Sequence, residues 1–187
     1  MSTQARIRVP NELFAPAESS SFAGELEIGV LAAGPDLYDF AAPVRWQADL
    51  TNTGGAILLT GTVEGTARTS CARCLEPVEM ELFGEIEGYY LIDPEECDPE
   101  DREQDEFDVL PEDSVIDLEG PIKAALLLEL PLVPLCDDEC KGICPDCGAN
   151  LNEGDCGCAD ARAAREEAEE QARNPFAALK GLTFDEQ

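Results

Sequence analysis

Cysteine is the residue type in this chain whose number and spacing most clearly indicate chemistry. Eight of the nine cysteines fall into four closely spaced pairs along the sequence. The four pairs, in chain order, are Cys71 and Cys74, Cys136 and Cys140, Cys144 and Cys147, and Cys156 and Cys158. Zn²⁺ prefers four thiolates in a tetrahedron, and a pair on a tight turn supplies two of them at once. The pattern therefore predicts one or two structural Zn²⁺ sites.

The third and fourth cysteine pairs form the stronger predicted quartet. They are separated by eight residues, so closing them into one site costs little chain entropy. Gly148 directly follows the third pair and can adopt the positive φ that a metal-binding turn requires. The first two pairs lie 61 residues apart and are assigned to each other by elimination. A pairing of Cys136 and Cys140 with Cys144 and Cys147 stays open.

Other cysteine chemistries fit the spacing less well. Cys71-Ala-Arg-Cys74 and Cys144-Pro-Asp-Cys147 have the spacing of a thioredoxin-like redox pair. Such a pair, however, stands alone at a helix start in a βαβ setting, and neither condition is met here. The spacings also fit iron–sulfur ligation poorly. The ninth cysteine, Cys97, is predicted to be an unpaired thiol without a role. A thiol redox protein is thus kept as the second alternative function of the chain.

The charge and the lack of histidine restrict the classes of function and of partner that the chain can have. Twelve Lys or Arg residues against 41 Asp or Glu residues give a formal charge of −29, and histidine is absent. The absence of histidine excludes Ser-His-Asp and Cys-His catalysis within this chain. The charge repels phosphate, so a broad nucleic-acid face and an anionic membrane are disfavoured and basic proteins are favoured. Because we find no catalytic carboxylate pair and no phosphate-binding glycine loop, we predict no enzyme and no small-molecule substrate.

The elements that must position the cysteines are mainly strands. Val44 to Thr51 alternates apolar and polar residues, Ala56 to Ser70 reads as a further strand after a Gly54-Gly55 turn, and Val78 to Glu87 alternates again. Phe22 to Val30 suggests one more strand. Alternation of apolar and polar residues indicates an antiparallel sheet with one buried face and one solvent-exposed face. The predicted fold class is α+β, with an antiparallel β meander or partly open barrel, a cysteine-rich zinc knuckle and a C-terminal helical tail.

The predicted organisation has three parts. A β-rich core covers residues 1–135 and includes an acidic loop at 94–119 and a short helix at 121–130, whose Ile122, Leu126 and Leu130 face the sheet. A cysteine-rich zinc-binding segment covers 136–158. A helical tail covers 159–187. It contributes little to the hydrophobic core, because alanine is the only apolar residue type in its first predicted helix. No targeting or membrane segment is apparent, so the expected compartment is the cytoplasm, where thiols stay reduced.

Three segments, in a fixed order along the chain, form a larger pattern around the cysteines. The first is Cys71-Ala-Arg-Cys74-Leu-Glu-Pro, followed by an alternating strand and an acidic stretch. The second begins at Leu128-Glu-Leu-Pro-Leu-Val-Pro-Leu-Cys136 and continues through the third cysteine pair to Asn152. The third is Asn174-Pro-Phe-Ala-Ala-Leu179. Together they resemble the YceD-type family of large ribosomal RNA subunit accumulation proteins. The first and third segments look widespread in the family, whereas the Cys144–Cys158 cluster occurs in part of it, which implies an accessory structural metal there.

The resemblance implies a non-enzymatic role in the synthesis, processing or stability of large-subunit ribosomal RNA. Members of the family are often encoded beside a small basic protein of the large subunit. Together with the charge of −29, this suggests a basic large-subunit ribosomal protein as the partner and an indirect association with ribosomal RNA. The first alternative is direct RNA binding by the zinc-knuckle end, through Lys141 and the arginines at 162, 165 and 173.

Overall fold

The computed structural model describes residues 5–93 and 107–173. This part of the chain forms nine strands, a short 3-10 helix at Asn11–Phe14 and two α-helices. The elements are β1 (Arg6–Arg8), β2 (Ser19–Leu26), β3 (Gly29–Ala33), β4 (Asp36–Phe40), β5 (Val44–Asn52), β6 (Ala56–Ser70), β7 (Pro77–Leu91), β8 (Asp108–Val109), β9 (Val115–Asp117), α1 (Glu119–Glu129) and α2 (Cys158–Arg173). The predicted α+β class is confirmed.

The chain divides into two compact units. The first consists of Met1–Cys71 and Glu76–Cys136 and contains every strand named above together with α1. The second consists of Ala72–Leu75 and Asp137–Gln187 and contains α2.

The first unit is built on a seven-stranded sheet in which β6 is the central strand. β7 pairs with β6 along its whole length, from Ala56 opposite Leu91 to Ser70 opposite Pro77. The other edge of β6 pairs with β5 and then, at Arg68, with β4, and β2 and β3 extend the sheet beyond them. All these pairs are antiparallel, and only the short β8 runs parallel to β7. The sheet does not close into a barrel.

The predicted alternation in β5 and β7 is confirmed by burial. Val44, Trp46, Ala48 and Leu50 of β5 are buried, whereas the residues between them are exposed or half-buried. In β7, Leu82 and Ile86 are buried, and all four of its glutamates are exposed. One face of the sheet therefore packs into the core and the other meets solvent, as antiparallel sheets commonly do.

The single strand predicted over Phe22–Val30 is wrong, because the chain forms β2 and β3 there. Leu26 is buried in β2, whereas in β3 Leu31 is buried and Val30 is exposed. The inward-facing positions thus change from even to odd numbers between the two strands. Because both Val30 and Leu31 are apolar, the sequence pattern does not reveal this change. The short strands β1 and β4 were also missed.

Part of the stretch predicted as an acidic loop at 94–119 is folded. Residues 94–106 lie outside the described part of the chain, but 107–119 contains β8 and β9. β9 pairs antiparallel with β1, and the Arg6 Nε atom lies 2.9 Å from the Asp117 Oδ2 atom. The side chains of Ile116 and Leu118 are fully buried. Burial of these two apolar side chains orders a segment whose charge alone indicates a loop.

Helix α1 packs on the sheet with the predicted face. Ile122, Leu126 and Leu130 are buried, and the helix lies within two residues of its predicted bounds. Gly84 of β7 permits the close approach, since a Cβ atom there would lie 2.9 Å from the Ala125 carbonyl oxygen. No helix in residues 5–93 and 107–173 has the length and apolar character needed to cross a membrane.

We predict that Gly61→Ala strongly destabilises the first unit. A Cβ atom at Gly61 would lie 2.2 Å from the Gln47 carbonyl oxygen, so β5 and β6 would have to separate. Overpacking of this kind costs about 3 kcal/mol or more in the free energy of unfolding. Gly55→Ala is the control, because no atom lies within 4 Å of its added Cβ. Equal denaturant midpoints for the two variants would contradict the described strand register.

Candidate metal centres

The eight paired cysteines gather into two quartets. Within each quartet the four Sγ atoms all lie within 4.8 Å of one another. The first quartet contains Cys71, Cys74, Cys136 and Cys140, and the second contains Cys144, Cys147, Cys156 and Cys158. This grouping is the one favoured from the sequence, and the alternative that joins the second pair to the third does not occur. The chain therefore contains two clusters of four thiols with the composition of structural metal sites.

The β6–β7 hairpin positions the first cysteine pair. Cys71 follows the last residue of β6, and its backbone N–H donates to the Glu76 carbonyl oxygen at 2.8 Å. The pair thus occupies a turn between antiparallel strands, which is unlike the strand-to-helix setting of a thioredoxin-like redox pair. In the first quartet Cys136 alone is exposed.

Arg73 fixes the turn Ala72–Leu75 within the second unit. Its Nη1 atom donates to the Cys140 carbonyl oxygen at 2.9 Å and to the Asp138 carbonyl oxygen at 3.3 Å. In return, the backbone N–H of Ile143 donates to the Arg73 carbonyl oxygen at 3.2 Å. This side chain therefore holds the backbone around Cys140 against the turn that carries Cys74. The sequence marks Arg73 only as one of the two residues between the cysteines of the first pair.

Asn152 contacts a sulfur atom of the first quartet directly. Its Nδ2 atom donates to Cys140 Sγ at 3.3 Å, and its Oδ1 atom accepts the backbone N–H of Lys141 at 2.8 Å. Such a donor stabilises a thiolate and orients it, as outer-shell groups do in metal sites. The sequence marks Asn152 only as the last residue of the second segment that resembles the family. Its contact with the sulfur follows from the fold of the loop.

A compact loop positions the third cysteine pair. The backbone N–H of Gly148 donates to the Cys144 carbonyl oxygen, and the Cys144 N–H donates to the Ala149 carbonyl oxygen, each at 2.8 Å. Gly148 has φ of +73°, which confirms the positive φ predicted for it. Cys158, the last member of the quartet, begins α2. The local turns thus bring the sulfur atoms together without a long insertion.

The thiols of the second quartet are electrostatically unequal. Backbone N–H groups of Cys147 and Asp146 donate to the Cys144 sulfur and lower the pKa of that thiol to about 7. A hydrogen bond with Cys147 raises the pKa of Cys158 to about 12. One thiolate is therefore favoured, and further thiolates beside it are opposed by like charge. A divalent cation removes that opposition, so the donor set fits a metal with four sulfur ligands.

The arrangement suits a structural metal better than a catalytic one. A catalytic metal site keeps a ligand position open for substrate, whereas four thiolates fill a tetrahedral shell. Sulfur atoms about 2.3 Å from a common centre lie about 3.8 Å apart, which is compatible with the observed spacing below 4.8 Å. Cys97 and Asn174–Leu179, which the sequence also singled out, lie outside the described residues.

The comparison with protein families identifies the chain. A family model described as Large ribosomal RNA subunit accumulation protein YceD matches residues 59–183, which is more than half of the chain. The chain belongs to the YceD family. The matched region contains both cysteine quartets, and the resemblance seen in the sequence is confirmed. The description of the YceD family refers to accumulation of the large ribosomal RNA subunit.

Two of the relatives described below carry YCED in their names. A Zea mays protein named Large ribosomal RNA subunit accumulation protein YCED homolog 1, chloroplastic, is 30% identical over 135 residues, which cover 59% of this chain and 46% of that protein. The Arabidopsis thaliana protein of the same name is 28% identical over 145 residues, covering 65% and 45%. An uncharacterized Mycobacterium tuberculosis protein is 40% identical over 95 residues, covering 51% and 45%.

The chain spans about half the length of the curated relatives it matches. No solved structure matches it.

We predict that Gly142→Ala destabilises the second unit more than Gly148→Ala. Both glycines have a left-handed φ, of +76° and +73°, so alanine costs about 1 kcal/mol at either position. At Gly142 the added Cβ would also lie 3.0 Å from the Arg73 carbonyl oxygen, whereas at Gly148 it meets no atom within 4 Å. The difference, about 1 kcal/mol or more in the free energy of unfolding, is measurable by chemical denaturation. Equal midpoints would contradict the packing of Arg73 against this loop.

Proposed function

We propose that the protein is a zinc-stabilised, non-enzymatic factor that supports large-subunit ribosomal RNA by binding a basic ribosomal protein. Family membership supports the ribosomal process, and the two quartets support the metal sites. The observation that carries the partner is the distribution of charge on the solvent-facing side of the sheet.

The solvent-facing side of the sheet carries eight acidic side chains and two arginines. The acidic residues are Glu25, Asp39, Asp49, Glu64, Glu79, Glu81, Glu85 and Glu87. Arg45 lies 3.0 Å from Glu64 and Arg68 lies 2.7 Å from Glu79, measured between nitrogen and oxygen. Within the described residues the other six acids form no salt bridge. A basic protein would supply the missing positive charge.

In this proposal the metals increase the negative charge. Four thiolates and one Zn²⁺ sum to −2, so two sites bring the formal charge from −29 to about −33. Ribosomal RNA would then associate indirectly, through the ribosomal protein. The thiols stay reduced in the proposed compartment, the cytoplasm.

The charges of the second unit weigh against the alternative of direct RNA binding. Arg162 lies 3.4 Å from Asp146, and Arg73 is engaged by backbone carbonyl groups. In the exposed helix α2, four glutamates lie between Arg165 and Arg173, so the arginines form no continuous basic surface.

The quartets also weigh against a thiol redox function. A redox pair needs an accessible thiolate beside one partner, whereas these thiols lie in groups of four, and three of the first group are buried.

We predict that the purified protein contains two Zn²⁺ per chain by elemental analysis. Cys74→Ser removes a ligand of the first quartet and Cys147→Ser a ligand of the second, so each variant is expected to retain one Zn²⁺. Cys97→Ser is the control and is expected to retain two. A protein with no zinc, or with a different metal as its main content, would refute the zinc assignment.

We further predict that the tagged protein captures specific basic proteins from a mixture extracted from large ribosomal subunits. Capture is expected at about 0.1 M salt and is lost near 1 M, since exposed charge pairs are screened. An unrelated protein of similar negative charge is the control. Capture of none, or of the same set by the control protein, would refute the proposed partner.

Two companion measurements separate the alternatives. Tight, salt-sensitive binding of large-subunit RNA fragments in a gel shift would favour direct RNA binding. An unchanged large-subunit peak in sucrose gradients from a strain lacking the protein would remove the ribosomal process itself.

A further inference from the structure

A groove runs along one edge of β7 beside α1, entirely within the first unit. We call it the β7–α1 groove. Its volume is about 550 Å³. The lining residues used below are Phe83, Glu85 and Glu87 from β7 and Ala124, Leu128 and Glu129 from α1.

The β7–α1 groove exposes two large apolar side chains. Phe83 is 59% exposed and lies among the solvent-facing glutamates of β7. Leu128 is 84% exposed, whereas Ile122, Ala125 and Leu126 of α1 are buried. Single exposed apolar residues are ordinary on protein surfaces. Two that line the same concave surface, rimmed by polar residues, indicate a site for a partner.

The rim of the β7–α1 groove is negatively charged. Glu85, Glu87 and Glu129 are all exposed, and the residues that line the groove include no lysine or arginine. In the described part of the chain these three glutamates form no salt bridge. Charge complementarity therefore selects an occupant with lysine or arginine side chains.

The backbone of β7 offers hydrogen bonds to the same groove. In the described residues, β7 pairs with β8 only at Tyr90 and Leu91, so its edge beside the groove has no neighbouring strand. The Ile92 N–H donates to the carbonyl oxygen of Gly55, the residue before β6, so the backbone groups of residue 92 point toward β6. The Leu91 carbonyl oxygen accepts from the Leu110 N–H, so the backbone groups of residue 91 point away from β6. Because backbone groups alternate along a strand, those of residues 83, 85 and 87 also point away from β6. An extended chain can pair with them.

We propose that the β7–α1 groove binds an extended segment of a partner protein that alternates basic and aliphatic side chains. Its backbone pairs with the edge of β7, its aliphatic side chains lie on the α1 side and contact Leu128, and its basic side chains lie on the solvent-facing side, over Phe83, Glu85 and Glu87 and within reach of Glu129. This rests on the proposed function, because it specifies where the basic partner binds and in which conformation.

The test uses a fluorescent peptide of alternating lysine and valine, about ten residues long, and measures its affinity by fluorescence anisotropy. Glu85→Lys with Glu87→Lys is expected to weaken binding about tenfold or more. The matched control is Glu12→Lys with Glu18→Lys, which changes the net charge equally at exposed positions outside the groove. This control is expected to weaken binding less than about threefold, because it changes only the long-range electrostatic potential of the protein.

Two further arms test the apolar contacts and the backbone pairing. Leu128→Lys is expected to weaken binding by about tenfold. Because the Leu128 side chain is already exposed, this substitution should change the free energy of unfolding little. A peptide of alternating lysine and glycine has the same charge and tests the aliphatic contribution. A lysine–valine peptide with N-methylated amides on one edge tests the strand pairing. Both peptides are expected to bind at least about tenfold more weakly than the parent.

Several outcomes would overturn the proposal. Equal losses in the two charge-reversal variants would assign binding to the whole negative surface. Equal affinity for the three peptides would exclude an extended, strand-paired segment. If Phe176→Ser with Leu179→Ser tightens binding about tenfold, the chain's own C-terminal segment is the occupant. If the protein is a dimer that Leu128→Lys dissociates, the occupant is a second copy.

The groove and the proposed function can fail separately. Capture of basic ribosomal proteins by the Glu85→Lys, Glu87→Lys variant at the unmodified level would refute the groove and leave the function standing. Groove-dependent peptide binding without any capture of ribosomal proteins would refute the function and leave the groove as a site for another basic segment.

Discussion

The register between β6 and β7 is the constraint on which the rest of the first unit depends. The two strands are each 15 residues long and pair without interruption from Ala56 and Leu91 to Ser70 and Pro77. A slip of one residue would turn the buried Ile86 to solvent and move its neighbouring glutamates into the core. The same ladder ends in the turn that carries Cys71 and Cys74. Register thus fixes the core, the acidic surface and the first cysteine pair together.

The protein tolerates a large negative charge because its acids and its packing surfaces are separated. In β7 the glutamates face solvent while the intervening residues contact the core and α1. Among the described residues, Asn52 is the one buried residue with an amide, carboxylate or cationic side chain, and its Nδ2 atom donates to the Leu13 carbonyl oxygen at 2.7 Å. Folding therefore buries no unpaired carboxylate, whose desolvation would cost more than its apolar neighbours contribute. The excess charge remains available at the surface.

The elements that the sequence predicted well are those in which buried positions are apolar and exposed positions are polar, at a regular spacing. β5 and β7 alternate strictly between apolar and polar residues, and the face of α1 repeats at helical spacing, so periodicity alone located them. The short strands β1, β4 and β9 gave no such signal, because three to five residues contain too little periodicity. In addition, β1 and β9 pair with each other although they lie far apart in the chain. In the sites, Arg73 and Asn152 were missed for the same reason, since they act on Cys140 from distant positions.

The sequence by itself determined that four cysteine pairs exist, that a thiol-rich metal site is their most fitting use, and to which family the chain is related. These conclusions rest on residue type and short spacing, which do not depend on the fold. The tertiary structure alone decided which pairs meet. The 61 residues between Cys74 and Cys136 carry no local signal of proximity, so the grouping of these two cysteines in one quartet is a long-range property. It also decided that the β7 edge beside α1 stays uncovered in the described residues, because pairing is a long-range property.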